Sequence, residues 1–263
     1  MVNNYFNSDY TNYWKNSVKK SVDGTIIAGP NEVEKIFKIL NLKKFNNILD
    51  LGCSYGRMIE PLKKIGKKIH GCDIDPSAIL EASNKNYTSL NVTSSDDLKY
   101  KSDFFDFIFC WAVFDVLDHT NTLIAVNNIL KKNGFFLLTA KNANYRKDDD
   151  LAFIAEKNAS KKNFPNQFIN LKEFLKNLKF YGFNAEAVFL FSKRGDLGLL
   201  KYNAVLDLNN FNDESYEFLI LLKKISKISN NYKNEFTLNY SNTAYKIAFD
   251  NGFTDLSQFF LKD

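Results

Sequence analysis

Apolar and polar positions along the chain predict strands and helices in alternation. Ile48-Leu49-Asp50-Leu51 is a short apolar run broken by an acid; past a loop with two glycines, Met58, Ile59, Leu62 and Ile65 fall at helical spacing. Upstream, Gly29-Pro30 opens a helix with Val33, Ile36, Phe37 and Leu40 on one face. Downstream come a second strand ending at Asp73, a helix from Pro76 to about Asn84, and a short third strand beginning at Leu90. Phe104 to Cys110 is an almost continuous apolar run, as expected of a strand buried on both faces of a parallel sheet. A helix from about Thr122 to Lys131, a strand from Phe135 to Ala140, a helix from Leu171 to Tyr181 closed by Gly182, and a strand from Ala187 to Phe191 continue the series. The order predicts an α/β fold, a mostly parallel sheet with helices on both sides. Farther on, Phe218, Leu221, Leu222 and Ile225 are in helical register within Tyr216–Ile228, and Thr243 to Phe249 reads as a last strand.

The loop after the first strand, Asp50-Leu51-Gly52-Cys53-Ser54-Tyr55-Gly56-Arg57, is where chemistry is expected. A strand, tight turn and helix leave unpaired backbone N–H groups at the helix start, and the glycines let a ligand lie against the main chain. Asp50 narrows the choice of ligand. A pyrophosphate ~4 Å from its carboxylate would be repelled by about 4 kcal/mol at an effective dielectric of ~20. S-adenosylmethionine (SAM), with an ammonium and a sulfonium, would be attracted. Asp73, 21 positions after Gly52, stands where a ribose hydroxyl pair would be met.

These residues resemble the class I SAM-dependent methyltransferases, in particular the small-molecule branch with a D-x-G-C-x-x-G-R turn. Asp50, Gly52, Cys53, Gly56 and Arg57 match that turn, Asp73 matches the ribose-binding acid, and Phe105-Asp106-Phe107-Ile108 matches an F-D-x-I strand. Ser54 departs from the pattern, standing where the family usually has glycine. The resemblance implies a Rossmann-like sheet of seven strands, the last antiparallel, with SAM as cofactor and S-adenosylhomocysteine as product. It implies a cofactor site of Asp50, Gly52, Cys53, Ser54, Gly56, Arg57, Asp73 and Ile74, an adenine loop of Ser95, Asp96, Asp97 and Leu98, and Cys110 with Trp111 at the methionine end. It further implies a cap or lid over residues 1–29, a methyltransferase domain over 30–263, and a helical insertion over 194–242 at the active-site edge.

Composition bounds the rest. The chain has 263 residues and 45% apolar content, enough for one large α/β domain with a cap or insertion. No window of about 18 consecutive apolar residues predicts a membrane span, and the first residues lack a secretion pattern, so a cytoplasmic protein is expected. Three cysteines, with no C-x-x-C pair or partnering histidines, predict neither a disulfide framework nor a metal site. The net charge of +5 comes from scattered lysines with only three arginines, which argues against a nucleic-acid partner.

Methyl transfer asks the protein to align two reactants and, for a hydroxyl acceptor, to take a proton. His119 and Asp115, shortly after the fourth strand, are the candidate bases. Tyr13, Trp14, Asn142, Tyr145, Arg146 and Arg194 are the candidate acceptor contacts, Arg146 as holder of a phosphate or carboxylate. The expected reaction is transfer to oxygen, or else nitrogen, of a small polar acceptor such as a sugar or nucleotide-linked sugar of surface polysaccharide synthesis. The alternatives are an RNA or protein methyltransferase and a non-catalytic SAM-binding module.

Overall fold

A computed structural model describes residues 27–146, 148–161, 166–229, 232 and 236–238. The expected last strand, Thr243 to Phe249, and nearly all of the expected cap lie outside these residues.

Helix α1 (Pro30–Ile39) begins where proline costs no backbone bond, and the Glu32 carboxylate accepts the Gly29 N–H at 2.9 Å. Strand β1 (Phe45–Leu51) leads through the glycine loop to α2 (Ile59–Ile65), β2 (Gly66–Asp73), α3 (Pro76–Ala82) and β3 (Ser89–Val92). The chain then crosses back to β4 (Phe105–Cys110), α4 (His119–Ile129) and β5 (Leu130–Lys141). After α5 (Asp150–Lys161), β6 (Phe168–Ile169) and α6 (Leu171–Asn177) come β7 (Phe183–Phe191), α7 (Asp196–Leu199), β8 (Asn203–Ala204), β9 (Glu217–Lys224) and β10 (Thr237–Leu238).

The main sheet has the order β3-β2-β1-β4-β5-β9-β7-β8, and β10 pairs with β6 in a separate ribbon. Strands β1 to β5 pair in parallel, whereas β9 runs antiparallel to both β5 and β7. The sheet is therefore mostly parallel, with the two-residue β8 as an eighth strand at its edge. Helices cover both faces: Phe218, Ile220 and Leu222 of β9 pack with Leu123, Val126 and Phe174 of α4 and α6. Leu219 and Leu221 pack on the other face with Val33, Ile36 and Leu62 of α1 and α2.

This corrects the expected helix over Tyr216–Ile228, which is the returning strand β9. Its positions 218, 221, 222 and 225 do match a helical face, but Leu219 and Ile220 between them are equally apolar. A short uninterrupted apolar run satisfies both templates, and here burial on two sheet faces decides for strand. Between β7 and β9 the helical content among the described residues is the single turn of α7.

The aspartate of the F-D-x-I strand has a structural task. Asp106 accepts the backbone N–H groups of Asn46 and Asn47 at 3.0 and 2.8 Å and pairs with Lys131 at 2.7 Å, tying β1 to β4 and β5 at their amino ends. Because β1 has β2 on one side and β4 on the other, the strand order reverses beside it. The crevice beyond the carboxyl ends of β1 and β4 is the switch point where such sheets take ligands.

Candidate active site

The glycine loop lies in that crevice. Gly52 and Gly56 have φ of +76° and +73°, and a Cβ on Gly52 would come within 2.6 Å of the Val113 side chain. Ser54 takes φ 47°, the left-handed conformation expected of the glycine it replaces, and so preserves the turn. The Gly52 and Cys53 N–H groups both donate to Cys72 O at 2.9 Å, locking the loop to the end of β2.

Asp73 is oriented by the main chain, its Oδ2 accepting the Ser54 N–H at 2.8 Å and its Oδ1 the Asp75 N–H at 3.0 Å. Each oxygen keeps a lone pair for a hydroxyl, which suits the two hydroxyls of a ribose. Asp50 is buried and accepts from Tyr87 Oη at 2.6 Å. Burial raises its carboxyl to about 7, against the opposing pull of Tyr87; Asp73 adds to the rise and Arg57 opposes it. Tyr87 was not foreseen, because no sequence pattern ties it to a carboxylate 37 positions away.

In the adenine loop Ser94 Oγ donates to Asp96, Asp97 pairs with Lys99 at 3.2 Å, and both aspartates are exposed. Ser95 turns inward, bonded to Thr122 at 2.9 Å, and Leu98 is buried. Ile74 is half-buried directly after Asp73. Cys110 is fully buried, and Trp111 stacks on Phe109 at 5.6 Å within the core. Cys53, Cys72 and Cys110 are buried free thiols, and among the described residues no group of three potential ligands is placed to hold a metal.

The second half of the site lies one and two strands over. His119 is 1% exposed and stacks on Phe114 at 4.7 Å. Its Nε2 donates to Phe114 O at 2.9 Å, which leaves Nδ1 to accept from Thr237 Oγ1 at 2.9 Å. Burial lowers its pKa to about 4. Both nitrogens are thus engaged inside the protein, and the structure does not bring His119 to the crevice.

Asp115, in the turn after β4, faces Lys141 Nζ at 3.6 Å, and burial raises its carboxyl above the usual range. Lys141 also donates to Glu156 at 2.8 Å, and Glu156 accepts from Tyr216 Oη at 2.5 Å and Asn166 at 3.2 Å. Arg194 Nη1 donates to Tyr216 Oη at 2.9 Å, and the Arg194 N–H donates to Asp149 at 2.7 Å. Asn142 is fully buried, its Nδ2 donating to Asp213 O at 2.5 Å while its Oδ1 has no partner among the described residues. Tyr145 packs on Phe168 and Tyr216 with its buried Oη likewise without a partner there.

Of the expected acceptor contacts, then, Tyr145 and Arg194 lie with Asp115 around Lys141 and Glu156, whereas the Asn142 side chain is directed at Asp213 and Ser215. Arg146 lies apart, paired with Asp148 at 2.7 and 2.9 Å and lining a cleft of about 490 Å³ with residues 203–207 and 210–212. Tyr13 and Trp14 fall outside the described residues. Lys141, Glu156, Tyr216 and Glu217 were missed. The available signal for two of them was a charge at the end of an apolar run, Lys141 after Phe135–Ala140 and Glu217 before Phe218–Leu222.

A doubly wound sheet, a glycine-lined turn at its switch point and a main-chain-held acid at the next strand end have the form expected of a nucleoside-binding crevice. The chain belongs to the methyltransferase-domain family, whose profile matches residues 29–188. No curated protein matches it at the level of sequence. Among solved structures it is similar to a SAM-dependent methyltransferase of Thermotoga maritima, with TM-score 0.60 and 18% identity over 83% of this chain and 97% of the other. It is also similar to one from Archaeoglobus fulgidus, with TM-score 0.57 and 16% identity over 81% and 99%, and one from Mesorhizobium loti, with 0.51 and 17% over 69% and 92%. These likenesses establish the fold.

The protein is a class I SAM-dependent methyltransferase, and SAM is its cofactor. The residues present fit it: Asp73 presents two oxygens held by main-chain N–H groups, and Asp50 places a carboxylate beside the loop. SAM supplies a methyl group on a sulfonium and leaves as a neutral thioether. No helix among the described residues is long and apolar enough to cross a membrane.

Proposed function

We propose that the methyl group goes to an oxygen of a small polar acceptor, a sugar or nucleotide-linked sugar, bound beyond the carboxyl ends of β4 and β5. The supporting observation is two buried polar atoms without partners among the described residues, Tyr145 Oη near Glu156 and Lys141, and Asn142 Oδ1 directly after β5. An unpaired buried polar group costs about 1 to 3 kcal/mol, which a hydroxyl-bearing ligand would relieve. Asp115 and Lys141 would orient such a ligand, and the two engaged nitrogens of His119 favour a packing role for that residue. Nitrogen is the second choice of acceptor atom, because the carboxylates around Lys141 would also accept an amine.

Calorimetry followed by a labelled-methyl screen tests this reading. SAM and S-adenosylhomocysteine should bind, NAD should not, and label should pass to sugars or nucleotide sugars. Label passing to amines alone would move the assignment to nitrogen, and label on tRNA or peptides would replace the acceptor class. Binding without any transfer would identify a SAM-binding module.

A further inference from the structure

Three carboxylates stand at the edge where the acceptor is placed, and two of them are occupied. Glu156 is buried and bonded to Lys141, Tyr216 and Asn166. Asp115 is buried against Lys141. Glu217 differs. Its backbone is fixed between two strands, opposite Lys141 of β5 and Phe191 of β7, yet its carboxylate makes no hydrogen bond among the described residues and is partly open to solvent.

We propose that the Glu217 carboxylate accepts the proton that the acceptor loses during methyl transfer. This rests on the reading that the acceptor binds beyond β4 and β5. Glu217 is two strand spacings, or roughly 10 Å, from the end of β4, a gap that a small acceptor bridges. In the step, a lone pair of the acceptor oxygen forms the new O–C bond while the C–S pair returns to sulfur. The hydroxyl proton moves to Glu217 and leaves through its open side. A sulfonium, a hydroxyl and a carboxylate become a thioether, an ether and a carboxylic acid, so charge and atoms balance.

The surroundings suit that task. Facing Glu217 are Arg194 from the loop after β7, Lys141 from β5, Asp115 from the turn after β4 and Glu156 from α5. Burial raises its carboxyl to about 7 against the pull of Arg194 and Lys141, close to the pH at which a general base works best.

The test uses Glu217→Gln and Glu217→Asp in the full chain, with free hexoses and UDP-linked hexoses as the acceptors assayed. SAM affinity by calorimetry should be unchanged in both, which also shows that they fold. For E217Q, kcat should fall about 10²- to 10⁴-fold, the range for a lost general base. The wild-type rise of kcat toward pH 7 should disappear, and Glu217→Asp should recover part of the rate. In protein labelled with carboxyl-¹³C glutamate, a resonance titrating near pH 7 should be present in the wild type and absent from E217Q. Retention of kcat within about threefold with the pH limb intact, an effect on KM alone, or no glutamate titrating near pH 7 would each overturn the proposal. If the wild type binds SAM but methylates nothing, the acceptor reading fails and the proton role falls with it.

Discussion

At each end of β9 a charged side chain meets the rim of the sheet. Lys224, at the amino-end rim of β5, is 4% exposed and its ammonium donates to Asp103, Asn127 O and Leu130 O at 2.8, 2.6 and 2.6 Å. Glu217, at the opposite rim, has charged neighbours but no hydrogen bond among the described residues. An ammonium has three protons, and all three are satisfied at Lys224, so its charge is a fastening. A carboxylate that burial has made costly and that no described residue hydrogen-bonds has room for a partner. One strand thus anchors the sheet at one end and serves the crevice at the other.

That contrast can be broken by measurement. The largest effect is expected at Glu217, where the glutamine variant should lose about 3 to 5 kcal/mol of transition-state stabilisation while its melting temperature holds. Lys224→Met should do the reverse, leaving two buried carbonyls unpaired. We expect a stability loss of about 3 kcal/mol by denaturant titration, with kcat within about twofold of wild type. Equal losses of stability in both variants would erase the distinction between the two ends.

Asp50 belongs with Glu217 and gives a pH signature. Its carboxyl is raised from 3.8 to about 7 in the folded state, so the stability it contributes is present at low pH and is lost as pH rises through 7. Asp50→Asn should therefore gain stability relative to wild type between pH 4 and 7 and level off above, by about 4 kcal/mol, in thermal melts of the SAM-free protein. A gain that grows as pH falls would contradict the burial of this carboxyl. The smallest expected effect is at His119, on the Lys224 side of the comparison. His119→Ala should cost about 1 to 2 kcal/mol of stability and change kcat, at saturating substrates, less than threefold. A hundredfold loss of kcat there would restore this histidine as the base.

Much of the cofactor half was legible in the chain because it is local. Asp50 through Arg57 form one turn, and the positive φ of Gly52, Ser54 and Gly56 is a property of that turn, so a short window of sequence carries the geometry. Asp73 follows from the span of one helix and one strand. The acceptor half was poorly legible. Asp115, Lys141, Glu156, Arg194 and Glu217 come from separate segments, and each alone is an ordinary charged residue. His119 illustrates the limit. Its place after the fourth strand suggested the crevice, but α4 starts at that residue and turns the ring under Phe114.

By itself the sequence determined most of the alternation of strands and helices, the glycine turn after β1 and the acid at the end of β2, since these depend on periodicity and on conformations available to neighbouring residues. Tertiary structure decided that Glu217–Lys224 is a strand and that its two charged ends have different surroundings. An unbroken apolar run is compatible with either helix or strand, and only the presence of β5 on one side and β7 on the other resolves it. The state of a buried charge depends likewise on which groups from distant segments reach it.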